Sequence, residues 1–178
     1  PPLTTLLFPY MTLFRSANRS GGDRPYHYDN ARQYLVDEHG AELSVNMEAD
    51  DSLGLNQTEE TIIASLDKDL LVVPGNHFNW VKDEEISVST IESDRYFFSQ
   101  LCTGDTADNI LGLFGIGPKS ALVKKIKKMD DAKEMDSLVR AEYRRRFGDW
   151  GDKFYEANAQ LLWILQKREC PVELIDGG

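Results

Sequence analysis

The stretch GDTADNILGLFGIGPKSA, residues 104–121, constrains this chain more than any other part of it. Asp105 and Asp108 stand three apart, and Gly112, Gly115 and Gly117 follow. Lys119 then opens KSALVKKIKK, which holds five lysines and no acid. Glycines at this density make the backbone turn, and they let it approach another backbone closely. One side of the turn is acidic and the other basic. The two halves call for ligands of opposite sign, so the fold has to place a cation site beside a surface for anions.

The charge along the chain is divided in the same way. The net charge is −10, yet Pro118 to Arg168 holds 13 Lys/Arg against 8 Asp/Glu. Between Glu48 and Asp69 there are seven carboxylates and a single cation, Lys68. An acidic body with a basic C-terminal third can take a metal with one part and a polyanion with the other. No apolar run reaches the ~20 residues of a membrane span, which predicts a soluble protein. Cys102 and Cys170 show no metal-ligand spacing and read as two buried thiols in a reducing cytoplasm. The opening PPLTTLLFPY has neither a basic signal-peptide start nor a small-residue cleavage site, and reads as a start in the middle of something.

The order of elements predicts an α/β fold that becomes mostly helical. DNARQYLVDEHG reads as a helix capped by Asp29, with Ala31, Tyr34 and Leu35 on one face and a stop at Gly40. AELSVN reads as a strand, EADDSLGLNQ as a short helix start and TIIASLD as a buried strand running into Asp67 and Asp69. HFNWV and ISVSTI, joined by KDEE, read as a hairpin. From Glu92 on, helices are expected over 92–102 and about 118–128, 131–146 and 152–168, the last with Phe154, Leu161, Leu162 and Leu165 on its apolar face. The chain thus divides into an α/β part, 1–91, and a helical part, 92–178, whose end packs back on the sheet.

Three carboxylate clusters stand out. Glu48 and Asp51 of EADD share a helix face at i, i+3 spacing, with Asp50 between them. Asp67 and Asp69 are two apart and point the same way in an extended segment. Asp105 and Asp108 repeat the i, i+3 arrangement. Carboxylates converging on one pocket repel unless divalent cations balance them, and oxygen ligands without His or Cys suit Mg²⁺ or Mn²⁺. After them, GLFGIGPKSA has the form of a helix–hairpin–helix turn, with Pro118 in the first helical turn and Lys119 in reach of a phosphate. Lys124, Lys125, Lys127 and Lys128 extend the positive surface, and such a turn grips phosphates without reading sequence. FRSANRSGGDRP, with Arg15 and Arg19, is a second basic segment.

EADD, SLDKDL and GDTADNILGLFGIGPKSA, in that order, resemble the 5′-nuclease superfamily: flap endonucleases, the 5′→3′ exonuclease domain of bacterial DNA polymerase I, and above all phage 5′-exonucleases. The resemblance implies a PIN-like (Rossmann-like), mostly parallel sheet with a helix–three-turn–helix region. It also implies cleavage of DNA at 5′ ends, flaps and nicks by a monomer using two Mg²⁺ or Mn²⁺ ions, in the cytoplasm of a host if phage-encoded. Glu48, Asp50, Asp51 and Asp67 resemble the first-metal cluster, and Asp69, Asp105 and Asp108 the second-metal side. Arg15 and Arg19 fall on the family's basic arch, and Gly115, Gly117, Lys119, Ser120, Lys124 and Lys125 on its DNA-binding turn, where a K⁺ ion sits. Leu111 stands where the family often has proline, and the linker between EADD and SLDKDL is short. The family's first strand, with its own aspartate, has no counterpart here, which implies a sheet short of its central strand and a chain that binds DNA but cuts it feebly. Two other readings stay open: a DNA-structure binder that does not cut, and a Mg²⁺-dependent phosphohydrolase of small molecules.

Overall fold

The computed structural model describes residues 25–172. Helix α1 (Tyr28–His39) ends where Gly40 takes the left-handed conformation (φ +63°) and returns its N–H to Leu35 O. His27, not Asp29, occupies the N-cap, and none of the helix's residues is buried. AELSVN forms no strand; residues 41–45 run as irregular chain. Alternation makes a strand only where a neighbour completes the hydrogen-bond ladder, and none lies alongside among the described residues.

Helix α2 (Ala49–Asn56) leads into β1 (Ile62–Ala64), a 3₁₀ turn (Lys68–Val72), β2 (Gly75–Asn79) and β3 (Glu84–Val88). The strand order is β1-β2-β3. β1 lies parallel to β2, with Ile63 opposite His77, and β2 antiparallel to β3. The sheet is therefore mixed rather than mostly parallel, because the short link between β2 and β3 can only fold back on itself. Of β1 only Ile63 is buried. Among the described residues this strand has a partner on one side only.

Helix α3 (Thr90–Thr103) starts at a capping box, Ser89 Oγ accepting from Glu92 N and the Glu92 carboxylate accepting from Ser89 N at 2.9 Å. It buries Phe97, Phe98 and Leu101 completely. Two short strands, β4 (Gly104–Asp105) and β5 (Ile110–Leu111), pair antiparallel after it. Helix α4 (Ala121–Ile126) is shorter than its sequence suggests. Ser120 Oγ caps it by accepting from Val123 N, which leaves Pro118 and Lys119 in the turn before the helix.

Helices α5 (Ala132–Phe147) and α6 (Gly151–Leu162) pack on α3. The buried face of α6 is Tyr155, Ala159 and Leu162; Phe154 is exposed and the helix ends before Leu165. Tyr155 goes inward because its hydroxyl finds Asp136 Oδ1 at 2.7 Å and its ring lies under the Arg140 guanidinium. After α6 the chain returns over the body. Leu165 N donates to Asp51, Gln166 Nε2 donates to Val72 O at 3.1 Å, and Arg168 pairs with buried Asp94. One cluster of buried side chains runs from Ile63 and Val72 through Phe97 and Leu101 to Val139 and Ala159, so residues on both sides of position 92 share a core. Cys102 is buried, Cys170 half-buried, and both are free. Among the described residues no helix is long and apolar enough to cross a membrane.

Two glycines fasten the end of α3 to the start of the glycine turn. A Cβ on Gly112 would lie 2.3 Å from Gly104 N and 2.6 Å from Cys102 O, and one on Gly104 would strike Gly112 N. All the obstructing atoms are backbone, which cannot swing away. Gly112→Ala is expected to destabilise the fold by about 2–4 kcal/mol, read as a lower urea midpoint at unchanged m-value. A change below ~0.5 kcal/mol would show that the two backbone segments can separate.

Candidate functional site

All seven carboxylates singled out in the sequence line one cavity of about 610 Å³. Each arrives on its own device. Glu48 is the N-cap of α2, with Asp50 and Asp51 in its first turn, where the helix dipole favours negative charge. Asp67 lies just past the carboxyl end of β1 and caps the 3₁₀ turn, accepting from Asp69 N at 2.9 Å. It does not share an extended segment with Asp69: the cap bends the chain between them. Asp105 and Asp108 are likewise not on a helix. Asp105 belongs to β4 and, by accepting from Ala107 N at 2.7 Å, tightens the β4–β5 turn that carries Asp108. Leu161, Leu162, Trp163 and Ile164 form the apolar side of the cavity.

Asp69 and Asp105 are the closest of these groups electrostatically, their carboxyls being within hydrogen-bonding reach. Burial, then the hydrogen bond and charge of Asp105, then the charge of Asp67 push Asp69 up to about 6. For Asp105 burial pushes upward too, but the hydrogen bond with Asp69 and the N–H groups of Ala107 and Asp108 outweigh it and hold the group below its ordinary value. Asp69 therefore keeps the proton of the pair and Asp105 the charge. Gln100 Nε2 donates to Asp69 Oδ1 at 2.9 Å, and the Tyr96 hydroxyl donates to the same oxygen at 3.3 Å. Burial and the charge of Asp69 drive the Tyr96 phenol far above its ordinary range, so it stays a donor.

The donor set of this cavity, seven carboxylates with no His or Cys among the lining residues, fits a hard divalent cation such as Mg²⁺ or Mn²⁺. Asp69 and Asp105 approach one another, but no three of the carboxylates converge as a metal-binding group among the described residues.

A second cavity, of about 680 Å³, adjoins the first. Lys68, Gln100, Asp105 and Thr106 line both, and Pro118, Val123 and Lys127 carry the second one to the glycine turn. Within that turn Gly115 needs its positive φ of +74°, whereas Gly117 has neither a positive φ nor any atom within 4 Å of where a Cβ would stand. Nothing among the described residues requires a glycine at 117. Leu111 and Phe114, 82% and 93% exposed, project from the same turn. Their carbonyls are held from the helical body, Leu111 O by Asn158 Nδ2 at 2.7 Å and Phe114 O by the Arg146 guanidinium.

The basic third of the chain contains two populations. All six arginines from Arg95 to Arg168 form ion pairs with carboxylates. Lys119, Lys124, Lys125, Lys127 and Lys128 are exposed, and none forms an ion pair with a described residue. Arg15 and Arg19 lie outside the described residues. Sequence reasoning missed Gln100, Tyr96 and Lys68 as parts of the site. Tyr96 and Gln100, four apart on the helix that ends at Gly104-Asp105, offered the one available signal.

Comparison with protein-family models, with curated proteins and with solved structures gives no match to this chain.

The raised value of Asp69 fixes the sign of a pH effect. Its stabilising contribution is complete below the ordinary carboxylate value near 3.8 and is lost as pH rises through about 6. Asp69→Asn should therefore raise Tm at pH 7.5 and change it little at pH 4. In the wild-type protein, Mg²⁺ or Mn²⁺ at ten times its dissociation constant should raise Tm by about 3–6 °C at pH 7.5, and by less at pH 5 where protons compete. Thermal melts with each cation check this; a shift that is the same at both pH values would separate cation binding from these carboxylates.

Proposed function

We propose that this chain is a divalent-metal-dependent 5′ nuclease, a 5′→3′ exonuclease or flap endonuclease that hydrolyses phosphodiester bonds of DNA. In this reading the mixed α/β part is PIN-like and the turn before α4 is of the helix–three-turn–helix type. The observation that carries it is adjacency. A cavity ringed by seven carboxylates shares a wall with a groove that reaches Pro118 and Lys127, next to the glycine turn and to exposed lysines that form no ion pair with a described residue. One substrate answers both halves: a polyanion with a hydrolysable phosphodiester.

In this reading Glu48, Asp50, Asp51 and Asp67 hold one ion, and Asp69, Asp105 and Asp108 hold the other. Two Mg²⁺ or Mn²⁺ ions supply charge stabilisation at the attacking and leaving oxygens. Gln100 and Tyr96 orient Asp69 toward the cavity, and Lys68 offsets the negative field that would repel a phosphate. Further along, Lys119, Lys124 and Lys125 hold duplex phosphates, Ser120 fixes the start of α4, and Gly115 and Gly117 let a phosphate backbone, with a K⁺ ion at the turn, come close. A second reading, a protein that grips branched DNA without cutting it, draws only on the exposed lysines of the turn, which form no ion pair with a described residue.

Cleavage of a labelled 5′-flap duplex with Mg²⁺ and with EDTA distinguishes the two. Asp67→Ala and Asp105→Ala are each expected to lower the cleavage rate by about 10²-fold or more while leaving duplex affinity unchanged or higher. Wild-type rates in either variant would remove that residue from the site.

Binding should depend on the lysines and on Gly117 in separable ways. Each of Lys119→Ala, Lys124→Ala and Lys125→Ala that removes a true phosphate contact should flatten log K against log[salt] by ~0.9, alike for any duplex sequence. Gly117→Ala should leave Tm unchanged or slightly higher, since an alanine there meets nothing and restricts the unfolded chain, yet weaken duplex binding. If Gly117→Ala binds as well as the wild type, the open space at the turn is not a backbone contact.

A further inference from the structure

Helix α3 turns a polar stripe away from the core. Glu92, Arg95, Tyr96, Ser99, Gln100 and Thr103 recur at helical spacing and all line the second cavity, while Phe97, Phe98 and Leu101 fill the interior. Two of these polar residues are themselves buried, Ser99 and Gln100 each being 9% exposed. Ser99 Oγ and Gln100 Oε1 are buried side-chain atoms without a hydrogen-bond partner among the described residues. Leaving such an atom unbonded costs stability, so it calls for a partner beyond the described residues.

The chemistry of the missing partner is narrowly set. Gln100 Nε2 donates to Asp69, which fixes the amide so that Oε1 can only accept. The ligand must therefore bring an N–H or O–H to Gln100. Arg95 is taken by Asp130 and the Met129 carbonyl, and Glu92 by the cap at Ser89. Asp105 belongs to the neighbouring cavity as well. Lys68 and Lys127 form no ion pair with a described residue, so an anionic group is favoured beside them. Tyr96, Pro118 and Val123 add apolar surface. A volume of about 680 Å³ lies within the roughly 300–1,000 Å³ usual for small-molecule sites.

We propose that this cavity seats one nucleotide of the bound strand, next to the phosphodiester at the carboxylates. Its phosphate lies toward Lys68 and Lys127, and a base N–H or sugar hydroxyl bonds Gln100 Oε1 and Ser99 Oγ. The proposal rests on the nuclease reading for its role and not for its chemistry, so a free deoxynucleoside 5′-monophosphate should bind without any metal.

Calorimetric titration of the full chain with dAMP and dTMP in EDTA tests it, with inorganic phosphate as the second arm. The mononucleotides should bind, phosphate alone at least ten times more weakly. Lys127→Ala should weaken the mononucleotide at least fivefold. Ser99→Ala should do the same and, with no ligand present, should raise Tm, because it deletes a buried hydroxyl that has no partner. Circular dichroism verifies that both variants are folded. Absence of mononucleotide binding, or equal binding of inorganic phosphate, overturns the assignment, as does unchanged affinity in both variants. Flap cleavage measured on the same preparations keeps the two readings apart. Protein that cuts DNA but ignores mononucleotides refutes the nucleotide site alone, and protein that binds them but never cuts refutes the nuclease reading alone.

Discussion

The contact between the backbones of Gly104 and Gly112 is the constraint on which the rest of the site depends. It lets Leu113 N reach Cys102 O at 2.8 Å, so that the chain leaving α3 and the chain entering the glycine turn run side by side. Asp105 comes directly after the first glycine, and Phe114 and Gly115 come shortly after the second. The acidic wall and the basic turn are thereby built from one knot of backbone and have no hinge between them. Any side chain at either position would force them apart, and the distance from carboxylates to lysines would change with it.

Electrostatics then sorts the cations by type. Arginine, with a planar fork that suits carboxylates, goes to the protein's own acids: Arg140 meets Asp136, Asp152 and Glu156, and Arg145 and Arg146 both hold Glu142, whose carboxyl falls to about 2. Lysine, a compact charge on a flexible stem, is left on the surface around α4. A net-acidic chain presents a positive face in this way because its internal pairings consume one kind of base and leave the other. The formal balance of the C-terminal third understates how localised that face is.

Much of this was legible in the sequence, for identifiable reasons. Helix α3 was signalled by the helical pattern that sets in at Glu92, and the carboxylate clusters by their density next to a strand end. The local geometry within the clusters was not legible. Asp67 and Asp69 sit across a cap, and Asp105 and Asp108 across a turn, where spacing suggested a strand and a helix face. The buried face of α6 was misread because Tyr155 counts as half-polar until Asp136 and Arg140 are in place around it. AELSVN has the pattern of a strand but no neighbour among the described residues. Gln100 carries only its helical spacing from Tyr96 and Lys68 no pattern, since a single amide or a single lysine gains meaning from what the fold sets beside it.

Lys68 and Gln100 line both cavities, and this common wall has a thermodynamic consequence. Whatever settles on one side changes the charge or the hydrogen bonding that the other side offers, so the two cavities cannot be filled as independent sites. The free energy by which occupancy of the first alters affinity at the second must equal the effect in the opposite direction. A cation among the carboxylates draws on Asp69 and so on the amide of Gln100, and an anion in the groove draws on the ammonium of Lys68. Under the function proposed above the two ligands have opposite signs, so coupling through this wall would be cooperative, each ligand reporting the presence of the other across the width of a side chain.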